Sequence, residues 1–375
     1  MTTFPAPSDG AAPGGSAAPG GSAAPGDAAA PGGAAADGVP VLALTVGDPA
    51  GIGPEIAARA AVDDDLRPRA RVLLVGDADI VRRAAKLCDL DAPVRAVDDP
   101  ALAGQEPGSI DVLDIAVAPA DQITPGRVSA LAGRSAVTAV ETATRLAMDR
   151  RVEAVVTAPI NKEAIWAAGS AHLGHTEMLG ELTGARESTT MFVVRGLKIF
   201  FTTRHTSLLK AVQQITEETV SAAVGSALTA LRVFGHPRPR LAVAALNPHG
   251  GEGGNFGREE IDEIVPAVEA ARTRGADVSG PVPADSVFYQ ALQGRYDGVL
   301  AQFHDQGHIA AKTVDFDGTV SVTVGLPILR TSVDHGTAFD IAGTGRASHR
   351  TMVAAALAAA DLSRFLDNIR SAYGR

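Results

Sequence analysis

Nine histidines occur in the 375 residues, and His205, His249 and His304 directly or nearly follow short β-branched runs. Neutral imidazole is a common ligand for divalent transition metals, and a three-histidine set with an open position belongs to catalysis rather than structure. Spacings of 44 and 55 residues carry no motif by themselves. Only a fold that gathers strand ends makes a site of them; taken singly, each reads as a loop or capping histidine. His304 and His308 are four apart in HDQGH, as in HExxH zinc sites. A helical pair is discounted there, because Gly307 weakens a helix and Asp305 stands where glutamate is required. His172, His236 and His349 have no polar company and read as packing or surface residues.

Charge bounds the partners. The chain has 33 Lys and Arg against 43 Asp and Glu, and its net charge of -10 repels phosphate backbones and argues against nucleic-acid binding. A small phosphorylated ligand then needs a local pocket. Lys312 and Arg330 flank a strand expected at 319–324, and His175 with Thr176 offers two short-range donors. Individually these are equally well solvated surface groups. The loop GDPAGIGPE at 47–55 fits neither G-x-G-x-x-G nor a P-loop, so a standard Rossmann site is not supported. The stretch 335–343, HGTAFDIAG, is dense in backbone donors. Gly336, Thr337 and Ala338 could present N–H groups to a ribose or phosphate, and Asp340 could accept from sugar hydroxyls. A plain helix-entry turn is the alternative.

The elements that must position these residues follow an α/β pattern. Strands are expected at 41–46, 72–75, 154–157, 191–194, 199–203, 241–246, 298–303 and 319–324. Helices are expected at 54–61, 80–87, 128–148, 217–234, 259–273, 285–292 and 349–364. This alternation predicts βαβ units and a largely parallel sheet, with ligands beyond the strands' carboxyl ends. GHTE at 174–177 reads as a Gly-bounded loop.

Residues 1–38 are Ala, Pro, Gly and Ser with APGGSA repeated at 12–17 and 18–23, too poor in large side chains to order, so a disordered tail is expected. No Lys or Arg precedes Arg59, which argues against a secretory or mitochondrial leader. No membrane partner is expected. The single cysteine, Cys88, makes no internal disulfide and fits a reducing cytoplasm.

Six segments together carry a resemblance. GDPAGIGPEI (47–56), TAPINK (157–162), GHTE (174–177), LNPHGGEGG (246–254), HDQG (304–307) and GLPILRTSVDHGTAFDIAGTG (325–345) stand in an order that resembles the 4-hydroxythreonine-4-phosphate dehydrogenase (PdxA) family from about residue 41 to the C-terminus. The resemblance implies an isocitrate/isopropylmalate dehydrogenase-like fold, two α/β/α domains around a cleft. Residues 39–150 with 305–375 would form the cofactor side, and 151–304 the metal, substrate and dimerisation side. It also implies a homodimer with interfacial active sites, and NAD and a divalent cation (Zn, Mg, Mn or Co) as cofactors. His205, His249 and His304 fall on the metal ligands, and His175, Thr176, Lys312 and Arg330 on substrate contacts. His335, Gly336, Thr337, Ala338 and Asp340 fall on the adenine side of NAD. Lys162, Asp285 and Asp305 are the candidates for accepting the hydroxyl proton.

Two positions depart from the family pattern. Ser321 replaces a usual Asn, and His308 follows HDQG where the pyridoxine-pathway enzymes tend to have Leu. HDQGH resembles the branch acting on 4-phospho-D-threonate or 4-phospho-D-erythronate, and also a branch that dehydrogenates cyclic diol carboxylates. The retained GHTE and RTSVDHGTA favour the phosphorylated acid. The expected reaction is oxidation of the C3 hydroxyl followed by β-decarboxylation. 4-Hydroxy-L-threonine phosphate, a precursor of pyridoxal phosphate, is the alternative substrate, and a metal-dependent hydrolase or lyase without nicotinamide the alternative class.

Overall fold

The computed structural model describes residues 38–374, so the tail expectation falls, but for one residue, outside the described residues. Twelve strands make one sheet: β1 Val41–Thr45, β2 Arg71–Gly76, β3 Val94–Val97, β4 Ile110–Asp114, β5 Ala154–Thr157, β6 Thr189–Val194, β7 Leu197–Phe201, β8 Leu241–Ala244, β9 Val278–Val282, β10 Gly298–Ala301, β11 Val320–Val324 and β12 Leu329–Ser332. Their order is β3-β4-β2-β1-β5-β12-β11-β6-β7-β10-β8-β9, with helices between them, and the α/β expectation holds.

Both flanks of the sheet are parallel, but β12, β11, β6 and β7 pair antiparallel at its centre. The other eight of the eleven pairings among the described residues are parallel, so the sheet is largely parallel, as the sequence pattern implies, with an antiparallel centre. For β6 and β7 the cause is local: Arg195 and Gly196 alone join them, at φ 46° and 83°. Two successive residues in the left-handed region give the turn whose twist suits a hairpin.

Alternation along the strands assigns the cores. Leu42, Leu44, Met191, Phe200, Val243, Leu300, Val320 and Val322 belong to one apolar cluster that underlies both halves of the sheet. Their neighbours point to the opposite face, where the apolar residues fall into two separate clusters. One is built on Val41, Ala43, Leu73 and Val155, the other on Phe192, Ile199, Phe201, Ala242 and Val299. Between these clusters the same face is polar. Thr45, Thr157, Ser332 and Ser321 lie side by side across β1, β5, β12 and β11, and a second row runs Arg330, Thr323, Thr190 across β12, β11 and β6. The gap between the two cores is therefore a cleft with a hydrophilic floor.

Helices wall this cleft. One spans His304–Val314, contrary to the expectation that Gly307 would weaken it. A Cβ at Gly307 would stand 2.4 Å from Phe201 Cε1 and 2.9 Å from Ile199 Cγ2. The glycine is what allows close approach to β7, and that packing outweighs its poor helix propensity. On the opposite wall a helix over His175–Thr183 replaces the expected loop at GHTE, with Gly174 at its N-cap. A short helix, Lys162–Ala167, starts where the Asn161 side chain accepts the Ala164 N–H at 2.9 Å.

Asp48 lies beyond β1, fully buried. Its Oδ1 accepts the Ala50 N–H at 2.8 Å, while Oδ2 has no partner among the described residues. Burial pushes its carboxyl up to about 6 from 3.8, opposed by the backbone of Ala50 and Asn161. The folded chain thus binds this proton more tightly than the unfolded chain, so stability falls as pH rises from 3.8 to about 6 and is level above. The shift corresponds to at most about 3 kcal/mol at neutral pH. Asp48→Asn keeps an acceptor for Ala50 and removes the charge. Its melting temperature should exceed that of the wild type at pH 8 and converge with it near pH 4; equal melting at pH 8 would contradict a destabilising carboxylate.

Candidate active site

Arg330 sits in the middle of the hydrophilic floor with its side chain buried. It donates from one terminal nitrogen to Thr323 Oγ1 at 2.9 Å and from the other to Thr157 Oγ1 at 2.5 Å. Thr157 Oγ1 in turn donates to Ser332 Oγ at 2.9 Å. The Arg330 Nε–H is buried without a partner among the described residues. Burial lowers its pKa to about 10, so it remains a cation at neutral pH.

His175 begins the helix on the wall, and its Nε2 is likewise buried and unpartnered. Burial, reinforced by the nearby Arg330 charge, holds this imidazole well below its usual range, so it is neutral. Thr176 follows in the same first turn. A cation, an unsatisfied imidazole and a helix N-terminus meeting on one floor form a place for an anionic group. On the opposite wall Lys312 pairs with Asp334 at 2.7 Å.

At the mouth of the cleft, His205 and His304 face one another with ring centroids 5.7 Å apart and planes at 47°. They line a cavity of about 410 Å³ together with Arg204, Ser207, Phe303 and Asp305. His304 Nδ1 contacts Asp305 Oδ1 at 2.6 Å. A carboxylate only accepts, so Nδ1 is the donor in this contact and Nε2 is the nitrogen left to face a cation. Burial foremost, then the positive charges of Arg204, His304 and Lys162, lower the His205 pKa, against the opposing pull of Asp334. Both rings are therefore suited to bind a divalent cation, and the Asp305–His304 contact is the kind that orients a ligating imidazole.

His249 is not brought into this pair within one chain. It is exposed on the 248–254 loop, with Nδ1 3.1 Å from Glu252 Oε1 and its ring 6.3 Å from Phe256. No group of three potential ligands is assembled among the described residues. Two imidazoles fit a cation here, and the remaining donor would come from outside this pair. Asp285 is exposed in the first turn of the helix Ala284–Leu292, beside the 248–254 loop, with no side-chain bond among the described residues.

Four of the eight non-glycine residues at positive φ among the described residues lie on loops that carry candidate site residues. His205, His249, Glu252 and Ala338 adopt positive φ without being glycine. Such conformations cost of order 1–3 kcal/mol each and concentrate at ligand sites.

Two segments at the far end of the cleft interlock. The Ile52 N–H donates to Thr337 O at 3.0 Å, and the Gly343 N–H to Glu55 Oε1 at 2.7 Å. His335 is held by Gly336 O and Thr351 Oγ1, each at 3.0 Å. The N–H groups of Gly336, Thr337 and Ala338 make no bond among the described residues, and Asp340 is exposed, so the loop presents free donors and an acceptor. A larger hollow of about 790 Å³, between 184–189 and Tyr373, opens on the other face of the sheet. It contains no histidine, and the chemistry lies elsewhere.

Reading the sequence alone missed Arg204, which donates to Thr190 Oγ1, and also Thr157, Thr323 and Asp334. Arg204 sat in view as part of TTRH, directly beside His205.

Comparison with known proteins shows the family. The model of the family described as "Pyridoxal phosphate biosynthetic protein PdxA" matches residues 68–359. A Cutibacterium acnes protein named "Putative D-threonate 4-phosphate dehydrogenase" is 54% identical over 336 residues, covering 89% of this chain and 97% of the relative. A solved 4-hydroxythreonine-4-phosphate dehydrogenase from Klebsiella pneumoniae superposes with TM-score 0.80 at 41% identity, covering 87% of this chain and 98% of that one. A terephthalate 1,2-cis-dihydrodiol dehydrogenase from Burkholderia xenovorans is more distant, with TM-score 0.56 and 34% identity over 83% of this chain and 94% of that one. The chain belongs to the PdxA family of dehydrogenases and is an oxidoreductase.

Proposed function

We propose that the chain oxidises the C3 hydroxyl of a four-carbon acid phosphorylated at C4, 4-phospho-D-threonate or 4-phospho-D-erythronate, with NAD and a divalent cation, and that carbon dioxide is then lost. The observation that carries this is the hydrophilic floor, where the unpartnered Arg330 Nε–H and His175 Nε2 lie in the cleft that His205 and His304 close. The substrate has an anion at each end, and buried donors of this kind are satisfied by such a group. The second histidine of HDQGH and the name carried by the Cutibacterium relative both favour the 2-hydroxy acid over 4-hydroxy-L-threonine phosphate.

Arg330, His175 and Thr176 would hold one anionic end, with Lys312, steadied by Asp334, near the other wall. His205 and His304 would hold the cation, with His249 completing the set. When bound, the cation supplies Lewis-acid polarisation of the C3 oxygen. NAD would lie along the 335–340 loop, whose free N–H groups suit its phosphates and ribose and whose Asp340 suits a sugar hydroxyl. Of the three candidates for the hydroxyl proton, Asp305 is engaged by His304 and Asp285 is exposed, whereas Lys162 lies within electrostatic reach of His205. Lys162 is the favoured proton acceptor, a role that requires it first to give up its own proton, since an ammonium cannot accept one.

A homodimer fits the exposed apolar residues around the site: Leu208, Leu209, Ile309 and Phe316 are each more than 60% accessible. Burying them against a second copy would also allow a histidine from that copy to supply the missing donor. As to location, no helix among the described residues is long and apolar enough to cross a membrane.

Three outcomes check this reading. In a panel of the two phosphorylated hydroxy acids, hydroxythreonine phosphate and a cyclic diol carboxylate, NADH should appear fastest with the hydroxy acids; a preference for the diol would refute the phosphate assignment. Arg330→Met should raise the substrate KM by about 10–100-fold, the loss expected of a charged hydrogen bond, with NAD affinity intact. An unchanged KM would contradict its contact with the anion. His205→Ala, His249→Ala and His304→Ala should each lose bound metal, and full metal content with full turnover in all three would end the metal assignment.

A further inference from the structure

His308, the second histidine of HDQGH, has no part in the reaction described above, yet it is among the most constrained side chains of the cleft. The helix His304–Val314 places it one turn beyond His304. The two rings stack face to face with centroids 3.5 Å apart and planes within 15°. His308 Nδ1 is 2.9 Å from the His304 carbonyl oxygen. A carbonyl only accepts, so Nδ1 carries the proton and donates it back along the helix. The ring also meets Phe192 at 4.2 Å and 65° and Phe201 at 5.1 Å and 43°, and those two rings pack edge-on to each other at 5.4 Å. Two aromatic contacts and a hydrogen bond therefore fix the plane of His308, and its free face lies against His304.

The consequence falls on His304. Its Nδ1 is tied to Asp305, but that aspartate is itself largely exposed and holds one edge of the ring only. The flat face of His308 supplies the second restraint, and together they leave Nε2 as the free nitrogen, with the ring of His205 5.7 Å away. We propose that His308 is a positioning residue: its clamped ring fixes the plane of His304 so that the lone pair is aligned for the cation before the cation arrives. A branched aliphatic side chain could fill the same volume without offering a flat face. This inference rests on the metal reading given above.

The test is titration of the metal-free protein with cobalt(II) alone, reading the visible absorption of the bound ion and its affinity by chelator competition. Wild type, His308→Phe, His308→Leu, His308→Asn and His304→Ala are compared, and melting temperature is followed in each. Phe keeps the flat ring between Phe192, Phe201 and His304 and should bind cobalt with an affinity and spectrum close to the wild type. Leu and Asn should bind about 10–100-fold more weakly, as is usual when a residue supporting a ligand is lost, with kcat at saturating metal largely restored. Asn retains an N–H for the His304 carbonyl but offers no ring, so it serves should Leu fail to fold. Wild-type affinity in a folded Leu or Asn variant, or weakening in Phe equal to that in Asn, would overturn the proposal. If wild type and His304→Ala bind cobalt equally, the metal reading itself fails, an outcome distinct from failure of the His308 role.

Discussion

The burial of one guanidinium in the middle of a β-sheet is the constraint around which the cleft is arranged. Arg330 occupies a central strand, where an apolar residue would ordinarily complete the core, and removing such a cation from water costs several kcal/mol unless partners replace the lost hydration. Thr157 and Thr323 provide two hydrogen bonds and leave three of the five N–H donors uncommitted. The strands around it answer with hydroxyls rather than methyl groups: Thr45, Thr190, Ser321 and Ser332 share its face. No continuous apolar layer can form across such a strip, so the helices on that side stand on either bank of it. The cleft is the space they cannot fill. An anion entering it would satisfy the charge that keeps it open, which links ligand binding to stability through the same side chain.

That arrangement also explains what the sequence showed and what it hid. Strands β1, β2, β5, β8 and β10 are buried on both faces and announced themselves as β-branched runs. β12 reads LRTS and looks like a loop, because Arg330 and Ser332 face the floor, Thr331 bonds the Ala355 carbonyl on the opposite face, and only burial in the sheet reveals it as a strand. β9 contains Gly280 and Pro281, tolerable because it is an edge strand, and β4 reads IDVLD, where two aspartates three apart break the period-2 pattern. The β6–β7 hairpin was missed because Arg-Gly is not a standard turn pair. Gly307 misled in the opposite direction, since propensity argues against a helix and packing on Phe201 demands one.

The candidate residues were legible as types but not as assemblies. His205 and His304 stand 99 positions apart and meet because β7 and β10 are neighbours. His249 follows β8, on the far side of β10, and its loop turns outward. No spacing rule could distinguish the histidine that joins the pair from the one that does not. Asp334 and Thr323 gave no signal, because a carboxylate that steadies a lysine and a hydroxyl that steadies an arginine look like ordinary surface residues until the partner is known.

Electrostatics closes the argument. The chain as a whole is acidic, yet Arg204, Lys162, Lys312 and Arg330 converge on one cleft, and the burial of Arg204 and Arg330 lowers the pKa of each. Three carboxylates reach into this group: Asp334 on Lys312, Asp305 on His304, and Glu177, whose charge acts on Arg204. An acidic surface around a basic cleft focuses its field on the opening, repelling polyanions over most of the molecule while drawing a small dianion to a single point. The neutrality of His175 belongs to the same balance, for a further positive charge beside Arg330 in a buried site would be costly, whereas a neutral imidazole can still hydrogen-bond to a phosphate or carboxylate once the proton sits on the facing nitrogen. The cleft thus combines a fixed cation with a neutral, adaptable hydrogen-bonding ring, both buried, and each retains an unpartnered nitrogen among the described residues.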